Sequence, residues 1–187
     1  MRKLIYNIWR PFAIFWSNLY WRIKHAHYDY KVRICDLMRK TDNSISDYIK
    51  RSASNVLNKF EYKHDGVEEL GDTIPPPAEA YYQYVNGVLK DDCDGFHACL
   101  YHLAKANGIE SKLIEVFSLN NLFGHCVLAF KDGDWKICDY DCIMTLEEAR
   151  EYYKTRCNGE YVEFDVEFDK RYINKKGLLL WKLLKKF

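Results

Sequence analysis

The fold of this chain is decided by residues 90–108, which read KDDCDGFHACLYHLAKANG. Apolar side chains recur at spacings of three and four after Cys93, and the Asn-Gly pair at 107–108 supplies a left-handed stop. The stretch therefore predicts a helix that begins at Cys93, with Asp91 and Asp92 as candidate caps. A thiol in the first turn of a helix is a potential nucleophile, because the helix dipole and the N–H groups of that turn favour the thiolate.

A nucleophilic thiol needs an imidazole partner, and His125 is the candidate among the six histidines. It opens the apolar run 125–130, which has the length and composition of a strand. The turn signal KDGD follows, and residues 135–141, WKICDYD, have the pattern of the returning strand of a hairpin. The other histidines, including His97, are expected to be ordinary surface or core-edge side chains.

The length of the hairpin loop decides which carboxylate meets His125. A two-residue loop would place Tyr140 opposite His125 and would turn Asp139 to the other face. A three-residue loop puts His125, Asp139 and Asp141 on one face, with Asp141 directly opposite and Asp139 diagonal, roughly 7 Å away at the backbone. In this register both carboxylates are candidate partners of the imidazole.

Four short motifs, in this order along the chain, resemble the core of the transglutaminase-like superfamily: CDGF at 93–96, ANGIESKL at 106–113, GHCV at 124–127 and WKICD at 135–139. The resemblance covers about residues 45–142. It includes the Trp that stands four residues before the Asp in the family's pattern. Where the family often has Gly-Asp-Cys, this chain has Asp-Asp-Cys.

The resemblance implies an α+β, papain-like fold, in which a nucleophile helix packs on a small antiparallel sheet, with additional N-terminal helices. It also implies a cysteine protease or amidase, or a transglutaminase-type acyltransferase. Such an enzyme cleaves or transfers the acyl group of a peptide or protein amide through a thioester intermediate. No cofactor is implied.

The site that the resemblance implies is a triad of Cys93, His125 and Asp139. Asp139 is preferred to Asp141 because a Trp precedes it by four residues. The sulfur attacks the carbonyl, the imidazole moves the proton, and the carboxylate fixes the imidazole tautomer. The oxyanion donor is expected to be the Cys93 backbone N–H, with Gln83 or Asn86 as a side-chain donor.

Two other classes of protein remain open on the sequence. A binding module could keep this fold without turnover, because aspartates crowd Cys93. A zinc-stabilised structural protein would draw on pairs such as Cys93 with His97 and Cys138 with Cys142. The sequence has no CxxC pair, on which zinc ribbons and fingers usually rely.

Length, charge and cysteine content further limit the classes of protein to which this chain can belong. A chain of 187 residues fits one domain with a sizeable core. A net charge of only +1 argues against nucleic acid as the main partner, since phosphate binding needs a clear positive excess. Seven cysteines, an odd number without the spacing of a disulfide scaffold, indicate a reduced protein and hence a cytoplasmic one.

We expect three parts along the chain. Residues 1–40 form a basic aromatic arm with helical character, residues 41–170 the transglutaminase-like domain, and residues 171–187 an amphipathic basic tail. The arm and the tail could pack on the domain or lie on a membrane surface, which would make the protein peripherally membrane-associated. Neither is a transmembrane span, because the longest uncharged run near the start is too short.

Other elements of the domain follow from pattern. Ser44 or Ser46 can cap a helix whose apolar face is expected to run from residue 45 to Phe60. Residues 63–78, rich in Gly and Pro, are expected to be loop. A helix should start at Thr145 with a capping box, and the alternating residues 161–168 predict a strand.

Overall fold

The computed structural model describes residues 44–63, 74–75, 77–120 and 123–166. The arm expected over residues 1–40 and the tail expected over 171–187 lie outside these ranges. Within the described ranges, no helix has both the length and the apolar character needed to cross a bilayer.

The described part of the chain contains four helices and seven strands. The helices are α1 (Ile45–Leu57), α2 (Pro77–Asn86), α3 (Cys93–Ala106) and α4 (Leu146–Arg156). The strands are β1 (Phe60–Tyr62), β2 (Leu89–Asp91), β3 (Ser111–Ser118), β4 (Gly124–Asp132), β5 (Asp134–Asp139), β6 (Cys142–Thr145) and β7 (Tyr161–Val166).

Five of the strands form one sheet in the order β6-β5-β4-β3-β7, and every neighbouring pair is antiparallel. The short strands β1 and β2 form a separate parallel pair, in which Phe60 is opposite Leu89 and Tyr62 is opposite Asp91. Since β2 ends two residues before Cys93, this small pair leads the chain directly into the start of α3.

Helices cover both faces of the five-stranded sheet. Along β4, Cys126, Leu128 and Phe130 join the core that contains α1, α2 and α3. The intervening Val127 and Ala129 join a smaller core with α4. This alternation follows from the period of two in a strand, and it buries β4 from both sides. The expected α+β class, with the Cys93 helix packed on an antiparallel sheet, is confirmed.

Several expected element boundaries are confirmed. Helix α3 begins at Cys93, and Gly108 lies just past its end with a φ of 71°. Ser44 caps α1 by accepting a hydrogen bond from the Asp47 N–H. Thr145 caps α4 and forms the expected capping box with Glu148.

Two expectations were wrong. Helix α1 ends at Leu57, so Phe60 belongs to β1, where its ring lies 5.2 Å from the ring of Phe96. The loop expected over residues 63–78 is too long at its end, because α2 starts at Pro77. Proline suits the first helical position, where its fixed φ fits and its missing N–H has no intrahelical partner to lose. The strand expected over 161–168 is confirmed as β7 (Tyr161–Val166), and residues 167 and 168 lie outside the described ranges.

Candidate active site

The β4–β5 hairpin has the register expected for the three-residue loop, which brings His125 and Asp139 to one face. Lys131 is paired with Trp135 and Leu128 with Cys138, which is the register expected for that loop. Gly133, at the centre of the turn, has a φ of 73°, in the left-handed region that glycine tolerates. The register prediction is confirmed, and the two-residue alternative is wrong.

His125 and Asp139 are hydrogen-bonded to each other. His125 Nε2 lies 2.7 Å from Asp139 Oδ1, and their side chains are 12% and 10% exposed. Strand β5 ends at Asp139, and Asp141 lies exposed in the turn that follows. Of the two carboxylates, the diagonal one is therefore the partner of the imidazole. Because Nε2 is used here, Nδ1 is the ring nitrogen that His125 can offer to a thiol.

A tyrosine from the opposite helix layer holds the other oxygen of this carboxylate. The buried Tyr153 of α4 donates its hydroxyl to Asp139 Oδ2 at 3.0 Å. Burial alone would raise the pKa of Asp139, but the hydrogen bonds from His125 and Tyr153 and the neighbouring histidine charges keep that pKa below its usual value. Asp139 is thus an anion fixed at both oxygens. The sequence did not single out Tyr153, which follows Asp139 by 14 residues.

The first turn of α3 presents the Cys93 thiol in a half-buried position. Asp92 is the N-cap, and its Oδ1 accepts the Asp94 N–H at 3.0 Å. Asp91 Oδ1 accepts the Asp92 N–H at 2.9 Å. Two of the aspartates that crowd Cys93 are therefore used to order the chain around it. The prediction that Asp91 or Asp92 caps this helix is confirmed for Asp92.

His97, one turn after Cys93, connects helix α3 to the end of β5. Its Nδ1 lies 2.6 Å from the Cys93 carbonyl oxygen, and its Nε2 accepts the Tyr140 N–H at 3.1 Å. Its ring lies 5.8 Å from the ring of His125. The first turn of α3 and the His125 imidazole are therefore on the same side of the molecule, at the end of the sheet where the helix layers meet.

His97 is fully buried, so the expectation of an ordinary surface or core-edge histidine was wrong. The reason is the partner, Tyr140, which stands 43 residues further along the chain. The only trace in the sequence is the spacing of four residues from Cys93, which puts both side chains on one face of the helix.

The ring of Tyr140 lies beside the rings of both histidines. Its ring is 5.3 Å from that of His97 and 5.9 Å from that of His125. Burial first, and next the negative charge of Cys93 when it is ionised, raise the pKa of Tyr140. Its backbone φ of 51° is unusual for a residue other than glycine, and such strain is frequent at functional sites.

The two side chains expected to assist the oxyanion lie on α2. Asn86 is exposed and donates its amide to the Tyr82 carbonyl one turn back, at 2.9 Å. This hydrogen bond ties the Asn86 amide to its own helix rather than to Cys93. Gln83 is half-buried on the same helix. The Cys93 backbone N–H lies in the first turn of the same helix as the Cys93 thiol, α3.

One group in the described ranges combines three side chains of metal-binding type. Asp91, Asp92 and Asp94 each bring a carboxylate oxygen to within 4.8 Å of the other two. A set of oxygen ligands alone suits Ca²⁺ or Mg²⁺, whereas structural zinc sites are built from cysteine sulfur and histidine nitrogen. His97 is not available to bind zinc together with Cys93, because both of its ring nitrogens are hydrogen-bonded to backbone groups.

The other cysteines that the structure describes differ in exposure. Cys99, Cys126 and Cys138 are buried, as expected for core residues. Cys142 is exposed, more so than Cys93. Burial raises the pKa of the Cys99 thiol well above its ordinary value, which keeps that thiol protonated and inert.

Comparison with known proteins finds similar solved structures. Calcium-bound LapG of Legionella pneumophila is 22% identical with a TM-score of 0.47, over 71% of this chain and 70% of that chain. EGTA-treated LapG is 21% identical with a TM-score of 0.42, over 60% of this chain and 61% of that one. A candidate cysteine protease from Cytophaga hutchinsonii is 15% identical with a TM-score of 0.43, over 71% of this chain and 40% of that one.

The chain thus spans about three-fifths of the EGTA-treated LapG chain and a smaller share of the Cytophaga protein. No family model and no curated protein matches the sequence. These are similarities of fold at low sequence identity.

Proposed function

We propose that this protein is a cysteine peptidase or amidase that cleaves a peptide or protein amide through a Cys93 thioester. The observation that carries the proposal is the 2.7 Å hydrogen bond from His125 to Asp139, beside the helix turn that presents Cys93. A buried anionic partner orients the imidazole and stabilises its cation, and an oriented imidazole is what turns a thiol into a nucleophile.

The proposed reaction has two steps. His125 takes the Cys93 proton, the sulfur forms a bond to the amide carbon, and the carbonyl electrons move onto oxygen, where the Cys93 N–H stabilises them. His125 then gives the proton to the leaving nitrogen as the C–N bond breaks, which leaves a thioester. Water attacks the thioester with His125 as base, and the carboxylic acid and the thiol are released.

A different acceptor would change the class of reaction without changing the site. If an amine attacks the thioester in place of water, the acyl group is transferred and the protein acts as a transglutaminase-type enzyme. Incubation with a peptide and a labelled primary amine separates the two outcomes: hydrolysis leaves a free carboxylate, and transfer leaves a labelled peptide.

The second candidate function is that of a binding module without turnover, and one observation favours it. Three aspartates that flank Cys93 in the sequence, Asp91, Asp92 and Asp94, have carboxylates close to one another, and negative charge near the sulfur would oppose formation of the thiolate. In such a module the histidine and aspartate would only support the packing. The two candidates differ in the reactivity of one sulfur atom.

The test is competitive alkylation with iodoacetamide at mildly acidic pH, read by peptide mass spectrometry. Exposed Cys142 is an internal control, because exposure alone predicts that Cys142 reacts before half-buried Cys93. We expect Cys93 to react first, because only a thiolate is nucleophilic at that pH. We also expect His125→Ala to slow the alkylation of Cys93 by roughly 100-fold, which is the size of effect expected when a general base is removed. The alkylation rate of Cys142 should not change.

The opposite order of labelling, Cys142 before Cys93, or a Cys93 rate that does not change in His125→Ala, would remove the enzyme proposal and leave the binding module. Cleavage of a fluorogenic peptide library by the wild-type chain, abolished in Cys93→Ser, then identifies the amide that is cleaved.

A further inference from the structure

His97 is a buried imidazole that the proposed reaction does not use. It lies between the Cys93 carbonyl oxygen, at 2.6 Å from Nδ1, and the Tyr140 N–H, at 3.1 Å from Nε2. We propose that His97 is a positioning residue: a neutral imidazole that fixes the first turn of α3 against the turn that follows Asp139. This inference rests on the proposed function and adds a residue to its machinery.

The two backbone partners determine the tautomer of His97. A carbonyl oxygen can only accept a hydrogen bond, so Nδ1 must carry the proton that is donated to Cys93. A backbone N–H can only donate, so Nε2 must be bare in order to accept from Tyr140. Both contacts hold together in the neutral Nδ1–H form and in no other. A protonated ring would direct a second N–H at the Tyr140 N–H.

The electrostatics of the site agree with this tautomer. Full burial, and then the nearby charge of His125, lower the pKa of His97 to about 4. The ring is therefore neutral under the conditions in which the thiol reacts. His97 cannot replace His125 as the base, because its only basic nitrogen is already occupied by the Tyr140 N–H.

The contact from His97 is one of several that hold the backbone of Tyr140, the residue next to Asp139. Tyr140 has a left-handed backbone, and its N–H and its carbonyl are both held, the latter accepting from Cys138 Sγ at 2.9 Å. The adjacent residue is Asp139, which holds His125. By fixing Tyr140 to Cys93, His97 sets the distance between the sulfur and the imidazole, where an error of about 1 Å can cost 100-fold in rate.

Asparagine and glutamine separate the two contacts of His97. In this protein, Asn86 and Asn107 both donate their amides to the carbonyl four residues back, at 2.9 Å. His97→Asn should therefore keep the contact to Cys93 but lose the reach to Tyr140. In His97→Gln the longer side chain brings its amide oxygen close to the position of Nε2, so this variant should keep the acceptor for the Tyr140 N–H.

We expect His97→Asn to slow the alkylation of Cys93 by about 10- to 100-fold, and His97→Gln to stay within about threefold of the wild type. The labelling of Cys142 should not change in either variant. Equal rates in the Asn and Gln variants would overturn the role of the Tyr140 contact. If Cys93 is unreactive in the wild type, the proposed function has failed, and that outcome is distinct from equal rates in the two variants.

A spectroscopic measurement on the wild-type chain tests the tautomer of His97 directly. Nitrogen-15 NMR of the histidine rings, with the His97 signal assigned from its loss in His97→Gln, should show a protonated Nδ1 and a bare Nε2 at neutral pH. The tautomer should persist in Cys93→Ser, because the backbone carbonyl remains. A protonated Nε2, or a ring that is charged at neutral pH, would overturn the proposal.

Discussion

Glycine at position 95 leaves room for the side chain of Asp91. A Cβ atom built at Gly95 would lie 2.3 Å from Asp91 Cγ and Oδ2, and 2.5 Å from Asp91 Cβ. The carboxylate thus rests against the first turn of α3 while it accepts the Asp92 N–H. The Asp91 backbone is paired in β2, so the Asp91 Cβ can move away from position 95 only if that pairing is disturbed. The position of Cys93 therefore depends on a missing methyl group two residues later.

We expect Gly95→Ala to displace Asp91 and to distort the turn that presents Cys93. Overpacking of this kind costs about 1–3 kcal/mol of stability, even though alanine is the better helix former. The alkylation rate of Cys93 should also fall in Gly95→Ala, because the turn that presents the thiol is distorted. The measurements are urea denaturation and iodoacetamide labelling of the same sample.

Gly87→Ala is the matched control for this change. Nothing lies within 4 Å of a Cβ built at Gly87, and its backbone is not left-handed. This variant should denature and react as the wild type does. If the two alanine variants behave alike, the close approach of Asp91 to Gly95 is not what holds the turn.

Sequence reasoning at the residue scale reached the residues whose partners are set by local register. The Trp135 spacing and the three-residue loop together select Asp139, and the structure pairs this residue with His125. His97 was missed because its second contact, to Tyr140, depends on how α3 is placed against β5. That placement is a tertiary property, and the helical pattern around Cys93 does not contain it.

Among the elements, α4 contributes to the site from the far side of the sheet. Its start was predictable, because Thr145 and Glu148 form a capping box three residues apart. The face of α4 that packs on the sheet was not predictable, because few residues of α4 are apolar and only Ala149 and Tyr153 are buried. The packing of Tyr153 against the end of β5 takes a polar group into the core, where its hydroxyl must find a partner. That partner is Asp139.

We expect Tyr153→Phe to lower stability by about 1 kcal/mol and to slow Cys93 alkylation by a few-fold. The reason is that Asp139 Oδ2 loses its donor, so the carboxylate holds His125 less firmly. Because that donor helps to lower the pKa of Asp139, the pKa should rise in the variant. Stability contributed by this carboxylate is present above its unfolded pKa and is lost as the pH falls, so the loss should begin at a higher pH.

The adjacent Tyr152 provides the control for this hydroxyl. It lies on the same helix and is 42% exposed. Tyr152→Phe removes the same atom from an exposed ring, so urea denaturation and alkylation should match the wild type. A Tyr152→Phe effect as large as that of Tyr153→Phe would assign the loss to the helix as a whole and not to the contact with Asp139.

In the whole molecule, the site lies where the layers on the two faces of the sheet approach each other. His125 is near His97 from one layer and near Tyr153 from the other, at ring distances of 5.8 and 6.3 Å. The order of the motifs and the spacing of apolar residues in the sequence predicted helix α3 and the antiparallel β4–β5 hairpin. They did not predict the parallel pairing of β1 with β2, because the two strands are distant in sequence and only three residues long.

The buried His97 makes the stability of the whole chain depend on pH. Its pKa is about 4 in the folded chain and 6.5 when unperturbed. Between these values the unfolded chain binds a proton that the folded chain does not, so the free energy of unfolding decreases as the pH falls through this window. The stability is complete above the unperturbed pKa. From pH 7 to pH 5 the loss from this one residue is about 2 kcal/mol.

Urea denaturation of the wild type and of His97→Gln at these two pH values measures the effect. Glutamine does not titrate, so the variant should lose about 2 kcal/mol less than the wild type between pH 7 and pH 5. His102→Gln is the comparison, since partial burial also lowers the pKa of His102 but its ring is half-buried and stacks on Tyr81. His102→Gln should reduce the stability lost between pH 7 and pH 5 by less than His97→Gln does. An unchanged pH dependence in His97→Gln would mean that the folded chain protonates the His97 ring as readily as the unfolded chain does, so that the contact with the Tyr140 N–H does not keep Nε2 bare as the pH falls.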